Sequence, residues 1–179
     1  ICALDFSLGL FWGLNNTLAV YPLLRTATPE QQKRYLPGIA QGRFIASFAL
    51  SEPGAGSNPM GIQAEALHAG PNHWILNGQK TWIGGAAWAG VITTFAKELA
   101  KDGAPRGITA FVFEQGRNGL RQGPEQLMLG MRATLQNRVF YENLPLEADD
   151  RLGNSGDGMK IAADTMNLSR FGIGLMALG

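Results

Sequence analysis

"SFALSEPGAGSN", residues 47–58, is the stretch on which the reading of this chain turns. A short apolar run stops at Ser51, bends through Pro53 and opens into two glycines, a serine and an asparagine. The run has the length and composition of a strand, and the residues after it are turn formers. Gly54 and Gly56 fill the first two positions of a dinucleotide-binding G-x-G-x-x-G. The third position falls on Pro59, however, and the Asn58-Pro59 pair disfavours the helix that must open there. A P-loop is excluded because no Lys-Ser or Lys-Thr follows the glycines. From the loop residues alone, a plain turn is what remains.

On the N-terminal side of this stretch the chain reads as helical. Residues 1–24 form an apolar segment too short, and too interrupted by Asp5, Asn15 and Asn16, for the ~20 residues of a bilayer span, so a buried helix is expected. "TPEQQKRYL" reads as the next helix, with Thr28 and Gln31 as a capping box, Pro29 at the first helical position and a stop at Pro37-Gly38. From Arg43 the period changes. "FIASFAL", "IQAEALHA", "HWILNG", "QKTWI", "VITTFAK", "GITAFVF" and "NRVFYENL" are short β-rich runs between turn residues, as in a sandwich or barrel. Asn77-Gly78 is the strongest hairpin signal, since both residues tolerate the positive φ of a type I′ turn. After "LGNSGDG" a helical period returns, with Met159, Ala162, Ala163, Met166, Arg170, Ile173 and Ala177 on one face. The expected fold class is α+β, with helices over 1–42, a β-domain over 43–153 and a further helix over 154–179.

The bulk properties fit an ordinary globular domain. In 179 residues, 45% are apolar and 16% charged, enough for a real core. A net charge of +1 from interspersed Lys and Arg argues against nucleic acid or an anionic membrane as partner. The single cysteine, Cys2, excludes a disulfide scaffold. The absence of an initial Met, a basic leader or a cleavage site, with both ends falling inside apolar periodic segments, suggests a piece of a longer protein without a signal peptide.

Three further stretches accompany the loop in order: "NGQKTWIGG", "LGMRATLQNRVFYENLPL" and "LGNSGDGMKIAADTMNLSR". Together with "ALSEPGAGSN" they resemble the acyl-CoA dehydrogenase family, and the likeness runs from "EQQKRYLP" to Arg170. The resemblance implies a family middle β-barrel or sandwich domain flanked by helices of the N- and C-terminal domains, with FAD as cofactor and an acyl-CoA as substrate. It implies a protein electron acceptor and a homodimer or homotetramer of the full-length protein. It also implies a location in the bacterial cytoplasm or, in a eukaryote, the mitochondrial matrix.

A flavin needs its ring stacked, its edge hydrogen-bonded and its pyrophosphate cradled. The resemblance implies that Phe48, Leu50 and Ser51 line the ring's edge and that Gly56 and Ser57 offer amides and a hydroxyl to a phosphate. It implies that Trp82 packs on the isoalloxazine with the Ile83 and Gly84 backbone alongside. Read singly, Trp82, Phe48 and Leu50 are core residues of strands, and Ser51 caps the turn before Pro53. Many relatives carry Ser or Thr two residues after the tryptophan, where this chain has Gly84, so that position contributes main chain only. On the last helix Asn167 and Arg170 are three apart and share a face. The resemblance puts them, with Ser57, on the substrate side, Asn167 standing where the family has an acid. Arg170 read alone is an exposed surface arginine.

α-Proton removal needs a carboxylate set against the substrate. Most relatives carry it in the C-terminal helical domain. Some place a Glu just before the matching arginine, where this chain has Ser169, so no catalytic base is assigned here. His68 and His73 lack companions at metal-ligand spacing, and Gly153–Asp157 misses the G-x-S-x-G nucleophile elbow at its last position. Two readings compete with the dehydrogenase: an acyl-CoA oxidase that returns electrons to oxygen, and a non-catalytic flavin- or partner-binding module. Phe11 and Trp12 are bulky enough to shorten an acyl pocket, or simply pack their helix.

Overall fold

A computed structural model describes residues 1–178. The chain opens with a helical run: α1 (Phe6–Leu14), a π-helical segment (Asn15–Val20) and α2 (Tyr21–Thr26). Asp5 is the N-cap of α1, its carboxylate accepting from the Leu8 amide at 3.0 Å. The helix is less buried than its apolar composition suggests, because only Gly9, Leu10 and Gly13 of α1 are enclosed while Leu8 and Trp12 are exposed. Next comes α3 (Pro29–Ala40), which has both halves of the Thr28–Gln31 capping box and Pro29 in its first turn. It runs through Pro37 and Gly38 rather than stopping there. A proline in the last turn forfeits one hydrogen bond on an exposed face, and Gly38 lets the Phe44 ring pack where a Cβ would stand 2.3 Å from it.

Eight strands follow: β1 (Ile45–Ala49), β2 (Glu65–Gly70), β3 (His73–Gly84), β4 (Ala89–Leu99), β5 (Pro105–Glu114), β6 (Leu120–Glu125), β7 (Gln136–Glu147) and β8 (Arg151–Leu152). They form one sheet in the order β6-β7-β3-β2-β4-β5-β8, with β1 also pairing parallel to β4. The path is open, so of the sandwich or barrel expected from the sequence the closed barrel is not formed. β6 ("LRQGPE") gave no strand signal because it holds Gly123 and Pro124, which an end strand tolerates.

Both faces of the sheet are covered. On β5, Phe111 and Phe113 join Trp74, Leu76, Ile83 and Tyr141 on one face. The alternate residues Ile108, Ala110 and Val112 join Leu23, Tyr35, Ile161 and Ala162 of the helices on the other. The final helix α4 (Gly158–Met176) buries Ile161, Ala162, Thr165 and Ser169. The face expected from periodicity is therefore displaced: Ala163, Arg170, Ile173 and Ala177 are exposed. Small residues let α4 lie close to the first helical run, as where Gly13 leaves room for the Met176 side chain.

Asn77-Gly78 is not a hairpin turn. It lies inside β3, and the β2–β3 connection is Pro71-Asn72, with Asn72 at φ 53°. Gly78 sits at φ 137° where the β3–β7 register slips, and a Cβ there would come within 2.7 Å of the Ala64 Cα. The glycine is needed for a bulge and a close backbone approach, which share the turn's demand for an unusual φ.

Candidate active-site cleft

The loop at the end of β1 closes on itself. Glu52 and Ala55 exchange backbone hydrogen bonds (3.1 and 3.0 Å) around Pro53-Gly54, and the Thr81 amide donates to the Ser51 carbonyl at 2.9 Å. The amides of Gly56 and Ser57 take part in none of the backbone bonds that close this turn. Both residues are exposed, and a Cβ at Gly56 would meet nothing within 4 Å, so a ligand can approach that backbone closely.

Beneath the loop lies a buried ion pair. Lys80 of β3, with none of its side chain exposed, donates to the Glu52 carboxylate at 2.8 Å and to the Leu50 carbonyl at 3.2 Å. Glu52 also accepts the amides of Gln63 (2.5 Å) and Ala64 (3.0 Å). Burial draws the Lys80 ammonium down to about 8, the attraction of Glu52 offsetting part of that.

At the far end of β3 the backbone breaks pattern. Trp82 has φ 58°, a left-handed conformation that costs a non-glycine residue roughly 1–2 kcal/mol. The β3–β7 pairing slips there, and the Gln126 side-chain carbonyl takes the Trp82 amide and the Thr81 hydroxyl, both at 2.9 Å. The indole is thereby turned outward, 53% exposed, while Thr81 and Ile83 on either side are buried. A strained residue presenting a large aromatic surface is the kind of outlier that accompanies a binding site.

Trp82 forms one lip of a cleft of about 110 Å³ between the first helical run and the sheet. Phe11, Leu14, Asn15 and Leu18 line it from the helix, Ser47 and Phe48 from β1, and Gly84, Thr134 and Gln136 from the side of β3 and β7. The π-helical segment contributes Asn15, whose side-chain carbonyl accepts the Ala46 amide at 3.0 Å and ties helix to strand. The Ser47 hydroxyl donates to the Gly84 carbonyl at 2.9 Å, and the Gln136 amide to the Thr134 hydroxyl at 3.2 Å. A Cβ on Gly84 would stand 3.3 Å from that Gln136 amide, so the position contributes main chain and Gln136 fills the space.

Of the residues singled out from sequence, Phe48, Trp82 and Gly84 share this cleft. Ser51, Gly56 and Ser57 lie on the adjoining loop and do not line it. The side chains of Leu50 and Ile83 are in the two cores, which leaves only their backbone for a ligand. Asn167 and Arg170 are hydrogen-bonded to each other (3.0 Å) on the exposed face of α4 and do not line the cleft either. Of the two bulky residues raised as pocket-shortening, Phe11 lines the cleft and Trp12 does not, while sequence reading missed Asn15, Ser47, Thr134 and Gln136 as lining residues. Ser47 heads the decisive stretch but has no spacing that marks it, whereas Thr134 lies within the quoted "LGMRATLQNRVFYENLPL", two residues after Arg132, and that motif is the signal that could have found it. No aspartate or glutamate lines the cleft. Among the described residues no helix is long and apolar enough to cross a membrane, and no cluster of three or more His, Cys, Asp or Glu could hold a metal.

Fold and cleft define an α+β domain with an aromatic-lipped pocket beside a turn with open backbone. The family model of the acyl-CoA dehydrogenase middle domain matches residues 47–144, and that of the N-terminal domain matches residues 1–43. The chain belongs to the acyl-CoA dehydrogenase family. It is 32% identical to the mitochondrial very long-chain specific acyl-CoA dehydrogenase of Homo sapiens over 98% of this chain and 28% of that protein. With the mitochondrial short-chain specific acyl-CoA dehydrogenase of Bos taurus it shares 35% identity over 97% of this chain and 42% of that protein. The solved acyl-CoA dehydrogenase from Bacillus anthracis complexed with FAD superposes with a TM-score of 0.84 and 32% identity, over 92% of this chain and 28% of that one. The chain thus spans less than half the length of these relatives.

Proposed function

We propose that this chain is the flavin-binding portion of an FAD-dependent acyl-CoA dehydrogenase, which introduces an α,β double bond into an acyl thioester. Its N-terminal helices (1–42), middle domain (43–153) and first C-terminal helix (154–179) are the units of that reading. The carrying observation is the cleft where Trp82, Phe48 and Gly84 meet, lined by aromatic surface, hydroxyls and a carboxamide. These residues fit a flat ring with a hydrogen-bonding edge.

A bound flavin supplies the acceptor for the two electrons that leave the substrate as hydride. The chain's own residues bind and orient. Trp82 and Phe48 offer apolar faces, the main chain at Leu50, Ile83 and Gly84 with the Ser51 hydroxyl meets the ring's edge, and Gly56 and Ser57 take the phosphates. Ser57, Asn167 and Arg170 are assigned to the acyl-CoA, and the paired Asn167 and Arg170 offer a cation and an amide to it. Because no carboxylate lines the cleft, the proton-abstracting base is assigned outside these residues, and the 179-residue chain alone should not turn over an acyl-CoA.

The relatives are named dehydrogenases, which supports a protein electron acceptor over oxygen. A soluble homo-oligomer, bacterial or mitochondrial, completes the reading. The test is to purify the full-length protein, measure its flavin content by absorbance, and add acyl-CoA thioesters of graded length without oxygen. Bleaching of the flavin band is expected; a folded protein that takes up no FAD, or whose flavin no thioester bleaches, refutes the proposal.

A further inference from the structure

The buried Lys80–Glu52 pair has no part in the cleft, yet it is bonded to the backbone beside it. Two neighbouring residues of β3 hold the two residues that lead into the loop: Lys80 donates to the Leu50 carbonyl (3.2 Å) and the Thr81 amide to the Ser51 carbonyl (2.9 Å). Glu52 then anchors the loop's return. One carboxylate oxygen takes Lys80 and the Ala64 amide, and the other takes the Gln63 amide, while its own backbone closes the turn with Ala55. None of these bonds uses the amides of Gly56 or Ser57 or the Ser51 hydroxyl. What remains on the outer side is the half-buried Ser51 and the exposed Pro53, Gly54, Gly56 and Ser57.

Such a pair is an expensive way to fill a core. Replacing a buried pair by apolar side chains of the same volume is often neutral or stabilising, so the pair is weak evidence for stability and directs attention to the geometry it holds. Here the geometry is that of the turn. We propose that Lys80 and Glu52 are positioning residues for the FAD site, holding the Leu50–Ser57 backbone in the conformation that presents Ser51, Gly56 and Ser57 to the cofactor. The inference rests on the flavoprotein reading above and adds two residues that touch neither ring nor phosphate.

The test uses the full-length protein, stripped of flavin and titrated with FAD, with the dissociation constant, the visible flavin spectrum and the melting temperature all recorded. Glu52→Gln removes one charge, and Glu52→Gln with Lys80→Met removes both, so that no lone charge is left buried if the single variant fails to fold. Thr28→Ala, at the N-cap of α3 and away from the loop, controls for general loss of stability. Both loop variants should bind FAD about tenfold more weakly or worse, the weight of one well-made hydrogen bond, with a displaced flavin absorption band. The control should bind within about twofold of the parent with an unchanged band. A folded double variant with parental affinity and spectrum overturns the positioning role. A parent protein that takes up no FAD instead overturns the flavoprotein reading, so the two failures are told apart.

Discussion

Glu98 offers the sharpest test of how this sheet is held. It sits on β4, 1% exposed, and its carboxylate accepts from His68 Nε2 (2.7 Å), Trp74 Nε1 (3.2 Å), the Ser155 hydroxyl (2.6 Å) and the Thr109 hydroxyl. One side chain therefore ties β2, β3 and β5 to the loop before α4. Glu98→Ala strands two donors with no access to water, on Trp74 and Thr109, at about 1–3 kcal/mol each, for a total of about 4 kcal/mol. Glu98→Gln keeps one carbonyl acceptor, and its amide can donate to a rotated hydroxyl, so the loss should be only about 1–2 kcal/mol. Burial alone would raise the Glu98 carboxyl, but the hydrogen bonds from Ser155, Thr109, His68 and Trp74 together outweigh it and hold the group below its ordinary value. A carboxyl depressed in the folded state contributes stability that is complete above its unfolded value of 4.5 and is lost as pH falls through the folded one. The gap between the native protein and Glu98→Gln should accordingly narrow below that pH. Equilibrium urea unfolding followed by circular dichroism measures both quantities. A loss under about 1 kcal/mol for Glu98→Ala, or a gap that stays constant into acid, would refute the reasoning.

Other parts of the fold make separate demands. Gly78→Ala, at φ 137° and 2.7 Å from Ala64, should cost about 1–3 kcal/mol in the same urea assay and would be surprising if neutral. Thr28→Ala removes the acceptor for the Gln31 amide and should cost about 1 kcal/mol, read as a lower urea midpoint at unchanged slope. Trp82→Gly relieves a left-handed backbone at an exposed position, so stability should stay within about 1 kcal/mol while FAD titration of the full-length protein shows weakened binding; a large fall in stability would contradict it. Lys80 titrates near 8 when folded and at 10.5 when unfolded, so between those values the unfolded chain binds more protons and stability should climb with pH. Burial holds the Tyr35 and Tyr141 phenols above their ordinary value of 10, so the folded state keeps protons that the unfolded one releases and the climb should reverse beyond it. Urea midpoints across alkaline pH test this, and Lys80→Met should abolish the climb.

What the sequence determined alone is what depends on neighbours a few residues apart. The Thr28–Gln31 box and Pro29 set the start of α3, and most strands follow from β-rich runs between turn formers, because capping and strand propensity act within one or two turns of chain. The family was legible for a similar reason: four short motifs keep their order and spacing whatever the fold does with them.

Tertiary contacts decided the rest. Asn77-Gly78 has a turn's chemistry, but Ala64, far off in sequence, packs against it and makes it a bulge. Pro37 has a stop signal's chemistry, but its ring faces solvent in a last turn held by Phe44 packed on Gly38. The burying face of α4 depends on which small residues meet the first helical run, which periodicity alone does not say. In the cleft, Ser47, Asn15 and Gln136 carry no distinguishing spacing, and it is the pairing of β3 with β7, the Ser47 bond to the Gly84 carbonyl and the Asn15 bond to the Ala46 amide that bring them together with Trp82. Local preferences are a few tenths to about one kcal/mol per residue, whereas burying one large side chain is worth about 1.5–3 kcal/mol, so wherever the two conflict the long-range contact prevails.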